Sequence, residues 1–226
     1  MTSGAPDVYI GLDLGTSGLK AVALTAAGEI VARGSAAHPT HRPDAGACEQ
    51  DTGDWQRAVE RVIAQLGQVV AAGRWQAIGL SGMIPTLVTL GPDGQPNGPV
   101  ITWHDSRADD LGEEFRERYG AAELYRLTGQ WVDGRYLLPM FGRIARTDPA
   151  RAAATATIAS VKDYLFAWLT GELATDPSTA AGYGCYELET GRWSAAALAA
   201  ADLAPRLPAG VRTPAPGVRG ERWLPH

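Results

Sequence analysis

Two short apolar segments joined by a glycine turn lie near the start of the chain and limit most strongly what it can fold into. Residues 8–14 read VYIGLDL, residues 19–24 read LKAVAL, and GTSG connects them at residues 15–18. Such β-rich runs around a glycine turn are typical of a hairpin. A third β-rich run follows at residues 29–37, and neither connection is long enough for a crossover helix. The chain is therefore predicted to begin with three consecutive antiparallel strands.

The rest of the sequence alternates between strand-like and helix-like patterns. Asp51 is the predicted N-cap of a helix over residues 51–72, and Asp54 is the second half of a predicted capping box. The further predicted helices are 109–119, 121–127, 139–146 and 162–169, and the further predicted strands are 77–81, 87–90, 99–103 and 157–161. We therefore predict an α/β fold with a mixed sheet that starts with the antiparallel meander and is flanked by helices.

The charge balance and the apolar pattern exclude several classes of function. The 226 residues carry a net charge of −5 and no run of lysine or arginine, which argues against nucleic acid or an anionic membrane as a partner. No segment is apolar enough to span a bilayer and the N-terminus lacks a signal-peptide pattern, so we expect a cytoplasmic protein. Cys48 and Cys185 lack histidines at ligand spacing, and we interpret both as ordinary thiols.

The same glycine turn carries the densest chemical signal in the sequence. A strand delivers Asp13 to the turn at residues 15–18, whose N–H groups and hydroxyl groups could cradle phosphate oxygens beside a magnesium ion. A Walker A loop or a dinucleotide fingerprint would open a helix, whereas a strand-like run follows here. A plain hairpin without a ligand stays open at this point. The candidate nucleotide-binding residues are Asp13, Gly15, Thr16, Ser17 and Lys20, with Asp13 also the candidate metal ligand.

Further segments occur in an order and at a spacing that resemble one family. They are EQD at 49–51, IGLSG at 78–82, PVITW at 99–103, KDYL at 162–165 and TDPSTAAG at 175–182. With the Asp-x-Gly-Thr-Ser turn, they resemble the N-terminal domain of the FGGY family of carbohydrate kinases, xylulokinase-like members in particular, over residues 9–193. The resemblance implies a ribonuclease-H-like domain of the actin-like ATPase superfamily. It also implies transfer of the ATP γ-phosphoryl group, with Mg²⁺, to a hydroxyl of a pentulose or similar polyol.

In the segment at residues 103–107, every second residue is a candidate sugar contact or ion-pair partner. Trp103, Asp105 and Arg107 lie along a segment that we expect to be extended, so their side chains would share one face able to stack on and hydrogen-bond a sugar. The family places its sugar beside this region, which makes Trp103 and Asp105 substrate contacts by resemblance and Arg107 a structural ion-pair partner. The alternative is an Asp–Arg pair that caps the next helix.

A departure from the family pattern bears on the substrate. The strand that ends at Gly82 is followed by Met83 and Ile84, where xylulokinases usually carry a Gln-x-His type of pair. The expected sugar-binding imidazole is therefore absent, which puts D-xylulose itself in doubt. Arg135 and Tyr136 stand where family members place a sugar-contacting aromatic. By resemblance, the candidate substrate contacts thus also include Met83, Ile84, Arg135 and Tyr136.

The end of the chain departs from the family as well. In the family, a second domain supplies the adenine pocket and the aspartate that acts as general base, and nothing in residues 205–226 resembles it. We expect an N-terminal domain over residues 1–204, an irregular tail over residues 205–226, no catalytic base, and no turnover by this chain alone. Lys162 and Asp163, at a predicted helix start, are interpreted as structural.

These observations leave three hypotheses in order. The first is the sugar- and Mg·ATP-binding half of a carbohydrate kinase, with a small-molecule sugar or polyol as partner and a homodimer left open. The second is a catalytically inactive sugar- or nucleotide-binding remnant, since the general base is missing. The third is an actin-like cytoskeletal or chaperone ATPase, against which the Trp103 segment and the short chain argue.

Overall fold

The computed structural model describes residues 7–201 together with residues 207, 208 and 211. The predicted irregular tail lies outside the described residues except at those last three positions. Within this part, the strands are β1 (Val8–Leu14), β2 (Gly18–Thr25), β3 (Ile30–Ala37), β4 (Glu49–Gln50), β5 (Trp75–Gly82), β6 (Thr86–Leu90), β7 (Val100–Thr102), β8 (Thr157–Ala159), β9 (Tyr186–Glu187) and β10 (Arg192–Trp193). The α-helices are α1 (Thr52–Gly67), α2 (Asp109–Tyr119), α3 (Ala121–Thr128), α4 (Leu137–Thr147), α5 (Pro149–Ala154), α6 (Val161–Thr170), α7 (Pro177–Ala180) and α8 (Ala195–Ala200).

The predicted meander is confirmed and forms most of the first sheet. Its strand order is β3-β2-β1-β5, with β1, β2 and β3 antiparallel and β5 parallel to β1. β2 begins directly at Gly18, so no helix follows the glycine turn. The turn therefore lies between two strands, as the sequence predicts, and not at a helix N-terminus.

The alternation of side chains along β1 decides which groups face solvent. Val8, Ile10, Leu12 and Leu14 are buried, whereas Tyr9 and Asp13 are exposed. The buried side chains pack with one face of α1, whose Trp55 is fully buried in the same cluster. Because successive residues of a strand point to opposite faces, this packing leaves Asp13 on the face of the sheet away from α1.

Two details of the α1 prediction are wrong. Asp51 is the N-cap and accepts a hydrogen bond from the Gly53 N–H, but α1 ends at Gly67, and a short 3₁₀ turn occupies Ala72–Arg74. Val69, which the predicted helix includes, lies beyond the end of α1 and is 64% exposed. Asp54 does not form a capping box, because its carboxylate accepts from the Arg57 guanidinium at 2.6 Å instead.

The strands that follow β5 leave the first sheet and form a second, antiparallel one with the order β4-β7-β6-β8. A second hydrophobic cluster packs on it and includes Phe115 of α2, Leu124 of α3 and Phe141 of α4. The predicted helix over 109–119 matches α2, and the other three match within two residues. The short elements β4, β9, β10, α5, α7 and α8 were not predicted.

Within the described ranges, no helix combines the length and the apolar character needed to cross a membrane.

Candidate functional site

The turn at residues 15–18 is held from behind by the segment between β3 and α1. The Gly15 carbonyl lies 3.1 Å from His38 Nε2, and the Thr16 carbonyl accepts from Gln50 Nε2 at 2.8 Å. The Ser17 carbonyl accepts from the His38 backbone N–H at 3.4 Å. Three successive carbonyl groups of the turn therefore bond to groups of residues 38–50.

This arrangement leaves the opposite edge of the turn open. Among the described residues, the backbone N–H groups of Thr16 and Ser17 donate to no protein acceptor. Successive free N–H groups in a turn form a concave site that suits an anion such as a phosphate group. A Cβ atom added at Gly18 would lie 2.7 Å from the Ala36 carbonyl oxygen, so only glycine lets β2 start this close to β3. The turn fits the phosphate groups that the sequence assigns to it.

Asp13 and Lys20 flank this open edge. They are directly opposite each other in the antiparallel register of β1 and β2, and both are exposed. Directly opposite residues project from the same face of a sheet. Neither side chain has a hydrogen-bond or ion-pair partner within the described part of the chain. A free carboxylate and a free ammonium beside the turn fit a divalent cation with its phosphate ligands.

Trp103 connects the turn to the predicted sugar residues. Its indole N–H donates to the Thr16 hydroxyl oxygen at 3.3 Å, and its ring stacks on His104 with 3.5 Å between ring centroids. The Trp103 side chain is half-buried and keeps part of its ring surface accessible. The structure therefore brings one predicted substrate contact to within hydrogen-bond distance of the predicted phosphate turn.

The expected shared face of Trp103, Asp105 and Arg107 is wrong. β7 ends at Thr102, and the Asp105 N–H donates to the Thr102 carbonyl at 2.9 Å, so the segment turns rather than extends. Asp105 is 3% exposed and accepts from the Cys48 N–H at 2.8 Å and from the Arg107 N–H and guanidinium. It does not cap α2 either, because the α2 N-cap is Ala108 and has no side-chain hydrogen bond.

Arg107 is confirmed as a structural ion-pair partner. Its guanidinium lies 2.8 Å from the Asp105 carboxylate and 2.6 Å from the Glu49 carboxylate. Burial alone would lower the pKa of Arg107, but the bonds to these two carboxylates outweigh it and raise the pKa. Both oxygens of Asp105 are thus occupied by protein donors, and a sugar contact at Asp105 stays a prediction that this geometry does not favour.

A cavity of about 350 Å³ opens beside this cluster. Trp103, Asp105 and Arg135 contribute to its lining, together with His104, Ser106, Asp109, Glu113, Arg116, Asp133 and Gly134. Arg135 pairs with the Asp133 carboxylate, and these hydrogen bonds lower the pKa of Asp133 although burial opposes them. Partial burial and the Asp133 charge raise the pKa of Asp109. The cavity is polar and carries charges of both signs.

The other predicted substrate contacts do not line this cavity. The Met83 N–H donates to the Leu14 carbonyl at 2.9 Å, which places Met83 and the 40% exposed Ile84 beside the glycine turn, where β1 and β5 end. Tyr136 is the N-cap residue of α4, and its hydroxyl donates to Gln130 Oε1 at 3.0 Å. The predicted substrate contacts therefore fall into separate groups: Met83 and Ile84 lie at the turn, Trp103, Asp105 and Arg135 line the cavity, and Tyr136 belongs to neither group.

Lys162 and Asp163 are structural, as predicted. Lys162 forms an ion pair with Asp176, the N-cap of α7. Asp163 is 1% exposed, accepts from the Ser160 N–H at 3.0 Å at the start of α6, and accepts from the Tyr183 hydroxyl at 2.6 Å. Burial raises the pKa of Asp163 to about 6 although these hydrogen bonds oppose it. Burial likewise raises the pKa of Cys185 to about 12, which agrees with an unreactive thiol.

Sequence reasoning missed the residues that hold the turn from behind. His38, Thr40 and Gln50 lie between the predicted strand 29–37 and α1, where the sequence predicts no strand, yet this segment contains β4 and its side chains reach the turn. The available signal was the EQD segment at 49–51, which was matched to the family without a role for Gln50. No local pattern shows that its amide bonds to a turn 34 residues earlier.

Comparison with known proteins agrees with this architecture. Residues 8–214 match the sequence profile of the FGGY family of carbohydrate kinases, N-terminal domain. The chain is 31% identical over 196 residues to a xylulose kinase from Klebsiella pneumoniae, with 87% of this chain and 40% of that protein covered. It thus spans about two fifths of the length of the curated relatives it matches.

Solved structures give the same result. A ligand-bound xylulose kinase from Lactobacillus acidophilus superposes with a TM-score of 0.84 at 28% identity, covering 91% of this chain and 42% of that one. A gluconate kinase from the same organism superposes with a TM-score of 0.83 at 26% identity, with the same 91% and 42% covered. The predicted actin-like ATPase fold is therefore confirmed.

Proposed function

This chain belongs to the FGGY family of carbohydrate kinases, and from that premise we propose that it forms the half of a sugar kinase that holds the sugar and the phosphate groups of Mg·ATP. The reaction of the whole enzyme is transfer of the γ-phosphoryl group of ATP to a hydroxyl of a pentulose or similar polyol. The curated relatives include proteins named xylulose kinase and gluconokinase, which supports a sugar or sugar-acid substrate.

The observation that carries this proposal is the open edge of the glycine turn. Thr16 and Ser17 present free N–H groups, and Asp13 and Lys20 present free charges of opposite sign beside them. Bound Mg·ATP supplies the phosphoryl group, and phosphoryl transfer depends mainly on positioning and charge stabilisation. In this chain, the N–H groups and Lys20 orient the phosphate oxygens, and Asp13 holds the cation or its water shell.

The sugar is proposed to bind next to the same turn. Trp103 offers a half-buried ring while its N–H is held by Thr16, and the exposed Ile84 lies on another side of the turn. An aromatic face and an aliphatic side chain pack against the C–H groups of a polyol. The polar cavity lined by Arg135 and Asp133 supplies hydrogen-bonding groups for its hydroxyls. This placement supports a polyol substrate and leaves its identity among pentuloses and related sugars to measurement.

A calorimetric titration with Mg·ATP tests the phosphate site. The wild-type chain is expected to bind Mg·ATP, and Asp13→Ala is expected to abolish the magnesium-dependent part of the affinity, because Asp13 is the free carboxylate at the turn. Glu60→Ala is the matched control, since it removes one exposed carboxylate from α1 on the other side of the sheet. Equal Mg·ATP affinity in Asp13→Ala and Glu60→Ala would contradict the assignment. The same titration with ketopentoses or gluconate in place of Mg·ATP reports which sugar class binds.

A further inference from the structure

We propose that Gln50 is a positioning residue for the phosphate site, acting through the backbone of Thr16. The inference rests on the function proposed above, and it concerns a side chain that would touch neither the phosphate groups nor the sugar. Gln50 is 1% exposed, so its amide group depends entirely on protein partners.

All the polar groups of Gln50 are used, and their directions are fixed. Its Nε2 group donates both to the Thr16 carbonyl at 2.8 Å and to the Thr40 hydroxyl at 2.7 Å. Its Oε1 atom accepts from the indole N–H of Trp55 at 2.9 Å. Because the indole N–H can only donate and a carbonyl can only accept, the amide has one orientation that satisfies both partners. Gln50 therefore links the turn to Trp55, a fully buried aromatic side chain of the core.

The segment that carries Gln50 is itself braced from its other side. Glu49 and Gln50 are successive residues of β4, so their side chains point in opposite directions. Glu49 bonds to Arg107, and the neighbouring Cys48 N–H bonds to Asp105. The ion-pair cluster of Asp105, Arg107 and Glu49 thus holds β4 from one side. On the other side of β4, the side chain of Gln50 bonds to the turn and so limits the movement of the turn relative to β4.

The consequence for the phosphate site follows from the geometry of a peptide unit. A carbonyl and the next N–H lie in one plane and point in opposite directions. The bond from Gln50 that holds the Thr16 carbonyl inward therefore also holds the Ser17 N–H outward, where it is free. Loss of this bond would let the peptide unit rotate and would remove a preorganised donor from the anion site.

The test compares Gln50→Met with Gln65→Met in the full chain. Gln65 is an exposed glutamine on α1 and serves as the control, since its amide also bridges to a strand backbone, through the N–H and carbonyl of Ser35 in β3. We expect Gln50→Met to weaken Mg·ATP binding about tenfold or more, measured by calorimetry where both variants are fully folded, and Gln65→Met to change it less than about twofold. A merely structural role for Gln50 would lower the thermal midpoint and leave the Mg·ATP affinity of the folded protein unchanged, which would overturn the proposal.

The variant Gln50→Glu provides a second test, in which Mg·ATP affinity is measured as a function of pH. In Gln50→Glu, the ionised carboxylate only accepts, so it repels the Thr16 carbonyl, whereas the protonated carboxyl regains one donor. The affinity deficit of Gln50→Glu relative to wild type is therefore expected to shrink as the pH is lowered, and a deficit that is constant with pH would count against the proposal.

A third measurement needs no ligand and separates this proposal from the proposed function. The Ser17 amide resonance is expected to shift, and its hydrogen exchange to change, in Gln50→Met but not in Gln65→Met. If wild-type chain fails to bind Mg·ATP, the proposed function is contradicted, and the Ser17 amide still decides the positioning role. An unmoved Ser17 amide in Gln50→Met would overturn that role.

Discussion

The glycine turn and the Asp105 cluster lie on opposite sides of the two-residue strand β4, and they use polar groups in opposite ways. At the turn, the Thr16 and Ser17 N–H groups and the Asp13 carboxylate have no protein partner among the described residues. In the cluster, both oxygens of Asp105 accept hydrogen bonds from protein donors, and Arg107 is paired twice. Asp13 and Ser17 are exposed, whereas Asp105 is 3% exposed.

This difference teaches how to separate binding groups from structural ones. A buried carboxylate is costly without partners, so the complete set of donors around Asp105 stabilises the fold and leaves little capacity for a ligand. Exposed free donors beside a rigidly held turn cost nothing in the unbound protein and remain available. This criterion supports the proposal that the turn binds the phosphate groups of a ligand, and it makes Asp105 part of the structure that supports the turn.

The largest expected effect is on stability, and it contrasts two aspartates. Asp105→Ala is expected to lower the free energy of unfolding by about 3 kcal/mol, because it leaves the Cys48 N–H without an acceptor and removes one of the two carboxylates that pair with Arg107. Asp13→Ala removes the same group at the open turn and is expected to change the free energy of unfolding by no more than about 0.5 kcal/mol. Denaturant unfolding of the two variants beside wild type measures both values. Equal losses of unfolding free energy in Asp105→Ala and Asp13→Ala would contradict the distinction between the Asp105 cluster and the glycine turn.

Asp163 sharpens the comparison, because it is a buried carboxylate with neutral donors in place of a guanidinium. Its pKa is raised from 3.8 to about 6 by burial, so the folded state binds the proton more tightly than the unfolded state. Such a group contributes stability below about pH 4, and that contribution is lost as the pH rises through about 6. We expect the free energy of unfolding of wild type to fall by about 2 to 3 kcal/mol relative to Asp163→Asn between about pH 4 and pH 7.

Unfolding curves of wild type and Asp163→Asn at several pH values give this difference directly, since other titrating groups are common to both. The asparagine retains an acceptor for the Ser160 N–H and the Tyr183 hydroxyl, so the variant is expected to fold. A difference that does not change with pH would mean that the Asp163 carboxyl titrates at its ordinary value.

The parts of the molecule that the sequence could predict depend on local patterns. The meander and its turn follow from short β-rich runs around Gly15 and Gly18, and α2 follows from a helical pattern that ends before Gly120. The end of α1 was misplaced because apolar spacing continues to Val70 although the helix stops at Gly67. Continuing apolar spacing does not show whether the backbone remains helical, and past the helix end Val70 is buried whereas Val69 is exposed.

The parts that could not be predicted depend on contacts between distant residues. The alternation of Trp103, Asp105 and Arg107 predicts a shared face only if the backbone is extended, and the bond from the Asp105 N–H to the Thr102 carbonyl closes a turn instead. The bond of Gln50 to Thr16 joins two segments that the sequence presents as independent. Neither contact leaves a periodic signal, so the sequence predicts the turn between β1 and β2 but not the contacts that hold it.

The most direct test of the open turn against the closed cluster is a nitrogen-15 NMR titration of the wild-type chain with Mg·ATP. The Thr16 and Ser17 amides report on the turn, and the Cys48 and Arg107 amides, which donate to Asp105, report on the cluster. We expect the Thr16 and Ser17 amide resonances to shift until the site is saturated, because their free N–H groups bond to phosphate oxygens. The shifts of the Cys48 and Arg107 amide resonances are expected to stay within the range of shifts seen across the other amides of the chain. Saturable shifts at Cys48 and Arg107 without shifts at Thr16 and Ser17 would contradict the account.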